Sequence, residues 1–369
     1  MSRFYLLRLT PPVPKQQAQP PHKPGTPISV YITLSSIAPA PKEWTSHPNG
    51  VYDPGAHNII FDVLVLDYSV YAGASTISIE GPRLSDLREP DDYSPKDPSD
   101  ADQYWGLELY GGMAEPGLPL STSAAGQPKP GLLASAQVLQ SFGNWTGTDM
   151  RISFLLAPST YSQAYPGNLV LNWLPGQPIS QALTNMFNVA YPGIPVVMQV
   201  SPNLVAPANG YHHISRTLRG MAQAILEQTS GTSMGMPKGY RGVHIYMQAG
   251  KVICTDYTQP PKNVTQLSYD SLIGQPVWVG PQTISIQTVL RADIQMGAVI
   301  ELPKKHGTIP GDANLPGLVT TPADMAQFGQ SNALAFTGQF VVTSVRHIGE
   351  SRGTSGLDWM TIIEAIAHV

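Results

Sequence analysis

Two stretches far apart in the chain share one layout, and it constrains the fold more than any other feature. Ala136–Ala157 (AQVLQSFGNWTGTDMRISFLLA) and Val341–Ile366 (VVTSVRHIGESRGTSGLDWMTIIEAI) each run through alternating apolar residues into a short polar, Gly-rich turn. An Asp follows in each, Asp149 or Asp358, and then a second apolar run. Period-two alternation on both sides of such a turn is the pattern of a β-hairpin with one buried face. Upstream of each lies another apparent hairpin. In Asn58–Pro82, Phe61, Val63 and Val65 alternate on one arm and Ile77 and Ile79 on the other, with Gly73 in the bend and Gly81-Pro82 as the stop. Ile284–Pro303 reads as a hairpin bent at Gly297 and ended by Leu302-Pro303.

The same order of features therefore occurs twice: hairpin, stop, long variable excursion, paired strands around an Asp. The expected fold is mainly β (α+β), with two tube-like β-barrel domains and an α/β domain inserted between them. A chain built this way can close into a ring that is threefold by chain and nearly sixfold by domain, which would satisfy sheet edges. Composition agrees. Charged residues are 12% of the 369, about half the ~25% of an ordinary soluble protein. Such a charge-poor surface suits a subunit whose faces are covered by partners. Hydrophobic residues at 42% allow a core in each domain, and 34 Gly with 36 Pro imply many turns.

The expected division is a Pro-rich N-terminal arm over residues 1–27, a first barrel over 28–160, an α/β domain over 168–262 and a second barrel over 266–369. The arm is carried by PPVPKQQAQPPHKPGTP, and ISVYITLSS after it alternates as a strand. Residues 84–104 hold the densest acidic cluster, read as a solvated loop; the ladder and closing Glu of a calcium loop are missing. In the middle, Ile179, Ala182, Leu183, Met186, Phe187 and Ala190 fall on one helical face, after Pro178 and before Pro192-Gly193. A second helix is expected over HISRTLRGMAQAILEQTSG, with Ile214, Leu218, Met221 and Ile225 on one face. Strands are expected in NLVLNWL, IPVVMQV and the hairpin VHIYMQAGKVICTDY.

Several function classes are disfavoured. Net charge is −4 and no strongly basic stretch exists to hold a phosphate backbone. The one cysteine, Cys254, excludes an intramolecular disulfide framework and reads as a small buried hydrophobe. The N-terminus lacks a signal-peptide pattern, and no apolar run reaches the ~18 residues of a membrane span.

The chain resembles baseplate hub proteins of contractile-tailed bacteriophages, the T-even and Mu-like hub family. The resemblance is carried by IEGP (Ile79–Pro82), LYGGMAEPGLPL (Leu109–Leu120), GLLASAQVLQSFGNW (Gly131–Trp145), DSLIGQPVWVGPQTISIQTVLRADIQMGAVIELP (Asp270–Pro303) and FTGQFVVTSVRHIGESRGTSGLDWMTIIEA (Phe336–Ala365). It implies a structural protein, not an enzyme: a homotrimeric ring that joins the tail tube to the central spike and encloses the ejection channel. Implied partners are further copies of the chain, the spike, the tube or its distal initiator ring, the tape-measure protein and baseplate wedge proteins. DNA would be a partner only in transit. Localisation would be the virion tail, assembled in the host bacterial cytoplasm, with no membrane insertion. No cofactor, metal or catalytic residue is implied.

Two other readings carry motifs. SGTSMGMPKG (Ser230–Gly239) is similar to the nucleophile motif of subtilisin-type serine peptidases, with Ser233 as nucleophile. That chemistry needs a His base and an orienting acid. Yet the HGT at His306–Thr308 follows the serine, where that family places it before, and Asp53-Pro-Gly is a poor acid motif. PGQPISQALTNMF has the strand-then-helix opening of a cell-wall glycan-binding module. His212-His213 lack the i, i+4 spacing of a helical metal pair.

Overall fold

The computed structural model describes residues 2–12, 41–65, 75–87, 93–95, 104–114, 130–157, 168–192, 194–230, 236, 240–248, 251–258, 264–280, 283–302 and 338–367. The fold is mainly β. Its first seven strands are β1 (Ser2–Thr10), β2 (Lys42–Thr45), β3 (Asn58–Val65), β4 (Ser75–Glu80), β5 (Gly106–Ala114), β6 (Gly131–Thr146) and β7 (Asp149–Ala157). After an α/β segment come β13 (Val264–Gln266), β14 (Val277–Gly280), β15 (Thr283–Val289), β16 (Val299–Leu302), β17 (Gly338–Glu350) and β18 (Trp359–Ala367). All thirteen belong to one sheet, ordered β14-β15-β18-β17-β3-β4-β7-β6-β5-β1-β2, with β16 and β13 branching from β17.

The repeat inferred from sequence is present as topology. In the first unit β3 pairs β4, β4 pairs β7, β7 pairs β6 and β6 pairs β5. In the second, β14 pairs β15, β15 pairs β18, β18 pairs β17 and β17 pairs β16. Chain order and pairing match strand for strand. Register matches too: Ser75 opposite Leu156 corresponds to Ile284 opposite Ala365, and Ile79 opposite Ile152 to Thr288 opposite Thr361. Each long hairpin carries a bulge at the same place, between Val138 and Gln140 in one and between Val342 and Ser344 in the other.

This topology corrects the alignment drawn from sequence. Ile284–Pro303 is not a hairpin: β15 pairs β14 and β18, whereas β16 pairs β13 and β17. The hairpin equivalent to β3–β4 is β14–β15. Gly297 (φ +75) turns the chain into β16, and a Cβ there would lie 2.6 Å from the Tyr246 hydroxyl. Pro303 lies outside the described residues.

The N-terminal boundary also moves. Residues 2–10, assigned to the arm, form β1, paired with β2 and β5. Tyr5, Leu7 and Leu9 alternate into the core, a three-residue signal masked by the Pro-rich segment behind it. The arm beyond residue 12 and the strand expected at 28–36 lie outside the described residues. The part of the sheet from β3 to β2 curls around a core of its own: Tyr5, Leu7 and Leu9 of β1 share it with Phe61 and Val63 of β3. Among the described residues no ladder closes this curl. The acidic segment is not merely a solvated loop. Tyr93 is buried edge-on against Trp105 (5.1 Å) and Phe154 (5.9 Å), and Lys42 reaches Asp86 at 3.4 Å.

The α/β segment holds β8 (Leu169–Trp173), α1 (Ile179–Ala190), β9 (Val196–Gln199), β10 (Tyr211–Ser215), α2 (Leu218–Thr229) and the hairpin β11 (His244–Gln248)–β12 (Lys251–Thr255). Helix α1 buries the six residues its periodicity predicts, with Pro178 as N-cap. Helix α2 starts later than expected. Thr217 caps it by accepting from the Gly220 amide, and Ile214 lies on β10, 67% exposed, rather than on the helix face. Cys254 is fully buried, as expected, and burial raises its thiol pKa. The apolar core of this segment runs on into the second unit. Tyr246 donates to the Met296 carbonyl, and the Gln248 side chain accepts from the Met296 amide at 2.9 Å.

Phe187 is fully buried between helix and sheet, whereas Val189 on the same helix is 85% exposed. Phe187→Ala is expected to cost about 3–5 kcal/mol, and Val189→Ala to stay within about 0.5 kcal/mol, read by urea unfolding.

Candidate functional site

The distinctive geometry lies where the two units meet. Strand β17 is long enough to serve two neighbours on one edge. Its first part, Gly338–Val341, pairs β16; its last part, Val345–Glu350, pairs β3 antiparallel, from Val345 opposite Val65 to Glu350 opposite Ile60. The ladder fuses two sheets into one and leaves neither unit with a bare edge there.

Side chains reinforce it on both faces. On the core side Gly349 lies on the Phe61 ring; an added Cβ would sit 2.1 Å from Phe61 Cζ, so only glycine fits. Trp359, opposite Gly349, meets Phe61 edge-on at 5.3 Å and donates its indole N–H to the Gly112 carbonyl at 2.9 Å. On the other face Arg346 forms a bidentate pair with Asp62, at 2.8 and 2.5 Å. Arg151 pairs Glu80 on the same face, and Glu80 also accepts from Asn58 at 2.9 Å.

The turn of the second hairpin docks on the first unit. Arg3 donates to the carbonyls of Glu350, Gly353 and Ser355 (2.6, 2.6 and 2.7 Å) and lies over the Trp359 ring. Arg352 donates to the carbonyls of Pro54 (3.0 Å) and Ala56 (2.5 Å), and Ser351 donates to Asn58 at 3.0 Å. A capping box between Ser355 and Asp358 holds the turn itself. The equivalent turn of the first hairpin is bare: residues 142–149 are exposed, Phe142 to 45% and Trp145 to 65%.

No residue was expected to be catalytic. Ser233 and His306 lie outside the described residues. Asp53 accepts from the Gly55 amide at 2.8 Å, a local turn contact. His212 contacts Asn172 at 2.8 Å and His213 stacks on Tyr211, both on β10. Among the described residues no group of three His, Cys, Asp or Glu side chains could hold a metal, and no helix is long and apolar enough to cross a membrane.

No family model matches the sequence, and no curated protein does. Solved structures do. A component of the Escherichia coli type VI secretion system, described as similar to bacteriophage T4 tail proteins gp27 and gp5, aligns at TM-score 0.45 and 8% identity, over 85% of this chain and 73% of that one. The tail protein from Neisseria meningitidis MC58 aligns at 0.44 and 10%, over 84% and 91%. The 43 kDa tail protein of prophage MuSo2 from Shewanella oneidensis aligns at 0.43 and 10%, over 85% and 97%. The solved structures similar to this chain thus include phage tail proteins and a type VI secretion component.

Two consequences of the junction can be measured. Gly349→Ala forces Phe61 to move and is expected to destabilise by about 1–3 kcal/mol, with partial recovery in the double variant Gly349→Ala/Phe61→Leu. His347, opposite Val63 in the ladder, is buried against Thr361 (3.0 Å), and burial pushes its pKa down to about 4. The unfolded chain, with His near 6.5, binds the extra proton between pH 6.5 and 4, so stability falls as pH drops through that window. The loss reaches about 3 kcal/mol near pH 4, and His347→Gln is expected to flatten that slope in urea unfolding at pH 7 and 4.5.

Proposed function

We propose that the chain is a structural subunit of a phage tail baseplate hub, or of the equivalent piece of a related contractile system. It acts as a trimeric, nearly sixfold ring that joins the tail tube to the central spike and encloses the channel for DNA. The observation that carries this reading is the duplicated five-strand unit joined edge to edge within one sheet. Two units of the same topology per chain are what a threefold object needs to match a sixfold one. The resemblance of the sequence to hub proteins points the same way.

The sheet face turned away from the core fits a channel wall. Across the units it carries Thr76, Ser78, Ser153, Ser285 and Gln287; Asp62 pairs with Arg346 and Glu80 with Arg151, and the exposed Glu364 opposite Ser285 adds a negative charge. A face of small polar groups and closed ion pairs offers a polyanion little to grip.

Purified protein is expected to show masses in multiples of three chains. Electron-microscopy class averages should show a ring with threefold symmetry and a central opening. A stable monomer under the same conditions, or a ring of another order, would overturn the proposal.

A further inference from the structure

We propose that residues 28–36, ISVYITLSS, add as an antiparallel strand to the free edge of β6 at residues 142–146 of the same chain. This pairing is independent of the ring reading above and gives the segment between β1 and β2 a place on the first unit.

The second unit shows what such an edge takes. By hairpin register and shared bulge, β6 is the counterpart of β17, with Gly143 in the place of His347 and Trp145 in that of Gly349. That part of β17 is paired by β3. Among the described residues, 142–146 of β6 pair β7 alone. Strand β5 leaves the edge at Gly106, opposite Gln137. The Trp105 carbonyl then accepts from the Val138 amide and Ser94 Oγ from the Ser141 amide, each at 3.0 Å. Because the Ser141 amide points away from β7, the period of two turns the backbone groups of Gly143 and Trp145 outward as well. Phe142 and Trp145 are exposed beside them. An open edge flanked by aromatic side chains is a site for strand addition.

Chain connection selects the occupant and its direction. Strand β1 runs parallel to β6, two strands away, and ends at Thr10, opposite Gly106 and so level with Gln137. Strand β2 starts near the same level, with Lys42 opposite Leu9. The segment between them therefore leaves and returns beside the projecting end of β6. From Pro12 to Ser29 the chain can span about 55 Å, and the level of Thr146 is about 30 Å away. An antiparallel strand then ends near Phe142. From there Thr33 to Lys42, about 30 Å at full extension, has about 20 Å along the strands and about 10 Å across them to cover. A parallel strand would end beside Thr146 and leave the same stretch about 32 Å to cover, its whole extended length. The antiparallel direction is also that of β3 on β17. The apolar face of the added strand, with Val30 and Ile32, then covers Trp145 on the core side, and Tyr31 and Thr33 fall beside Phe142 and Asn144.

A disulfide scan tests this. Outward hydrogen bonding by Gly143 and Trp145 puts Asn144 in a non-hydrogen-bonded pair, with Cα atoms about 4.5 Å apart, within disulfide reach. The one native cysteine is buried. Under mild oxidation of the full chain, Asn144→Cys with Tyr31→Cys or with Thr33→Cys is expected to form a disulfide within one chain. It is read as a faster band on non-reducing gels and as a linked peptide by mass spectrometry. Asn144→Cys with Val30→Cys or with Ile32→Cys, on the opposite face, should form it several-fold less. Equal yields on the two faces, or none on either, would overturn the pairing. Disulfides between chains would overturn it too, and would assign the edge to a second copy. Hydrogen exchange on the chain without introduced cysteines gives a second measurement. The amides of Gly143 and Trp145 are expected to be protected, and Ile32→Pro, which removes a ladder donor, to abolish that protection. Unprotected amides in the parent chain, or protection that survives Ile32→Pro, would equally rule the pairing out.

Discussion

The β17–β3 ladder is the interaction on which the rest depends. A strand end in a sheet presents amides and carbonyls that must find partners or remain a site of uncontrolled pairing. Here β17 meets both needs by changing neighbour along its length, from β16 to β3, while β18 occupies its other edge throughout. The strand must therefore be long, and at 13 residues it is among the longest in the chain. The close approach of Gly349 to Phe61 follows from the same requirement, because a side chain at that crossing would push the two strands apart.

Charges on this surface play a different part from the ladder. Arg346 and Asp62 are 45% and 42% exposed as side chains, and pairs of that kind contribute about 0–1 kcal/mol. They select the register more than they hold the units together. Burial of Phe61 and Trp359 in a shared core holds the units, since each large aromatic removes much apolar area from water. Arg3 and Arg352 work through backbone carbonyls rather than carboxylates, and so they fix where the long turn lies. The turn of the first hairpin has no counterpart of Arg352, and among the described residues it stays exposed.

The period-two pattern made much of this legible. Phe61, Val63, Val65, Ile77 and Ile79 point into the core as their alternation requires, and all six apolar positions of α1 are buried. The repeat could be seen because alternation, Gly bends and an Asp after the turn recur in order. What could not be seen was which strand pairs with which. β15 and β16 are neighbours in sequence around a glycine, the ordinary sign of a hairpin, yet they join different partners. Nothing local encodes that, because the partners are supplied by strands far away in the chain. The junction residues were hidden for the same reason. Arg3 and Glu350 lie 347 positions apart in the chain, and the hydrogen bond between them depends on the curl of the sheet. Ile214 illustrates a narrower failure: its spacing fits a helix face, but the Thr217 cap sets the boundary after it.

The equivalent bulges explain how two units can keep one architecture with few shared residues. A bulge places an extra residue on one strand, bends it and raises its twist. In both hairpins it falls where the long strand passes from its inner neighbour, β5 or β16, toward the part that projects beyond the unit. The bend aims the projecting end, and the pairing beyond it requires only alternation and a backbone. Residue identity is then free to drift, and the Trp145 of one copy can stand where the other has Gly349. What selection must hold is the position of the extra residue, because moving it by one would turn every side chain beyond it to the opposite face. A duplicated unit under that constraint retains register while its sequences diverge, which is the pattern seen between Ala136–Ala157 and Val341–Ile366.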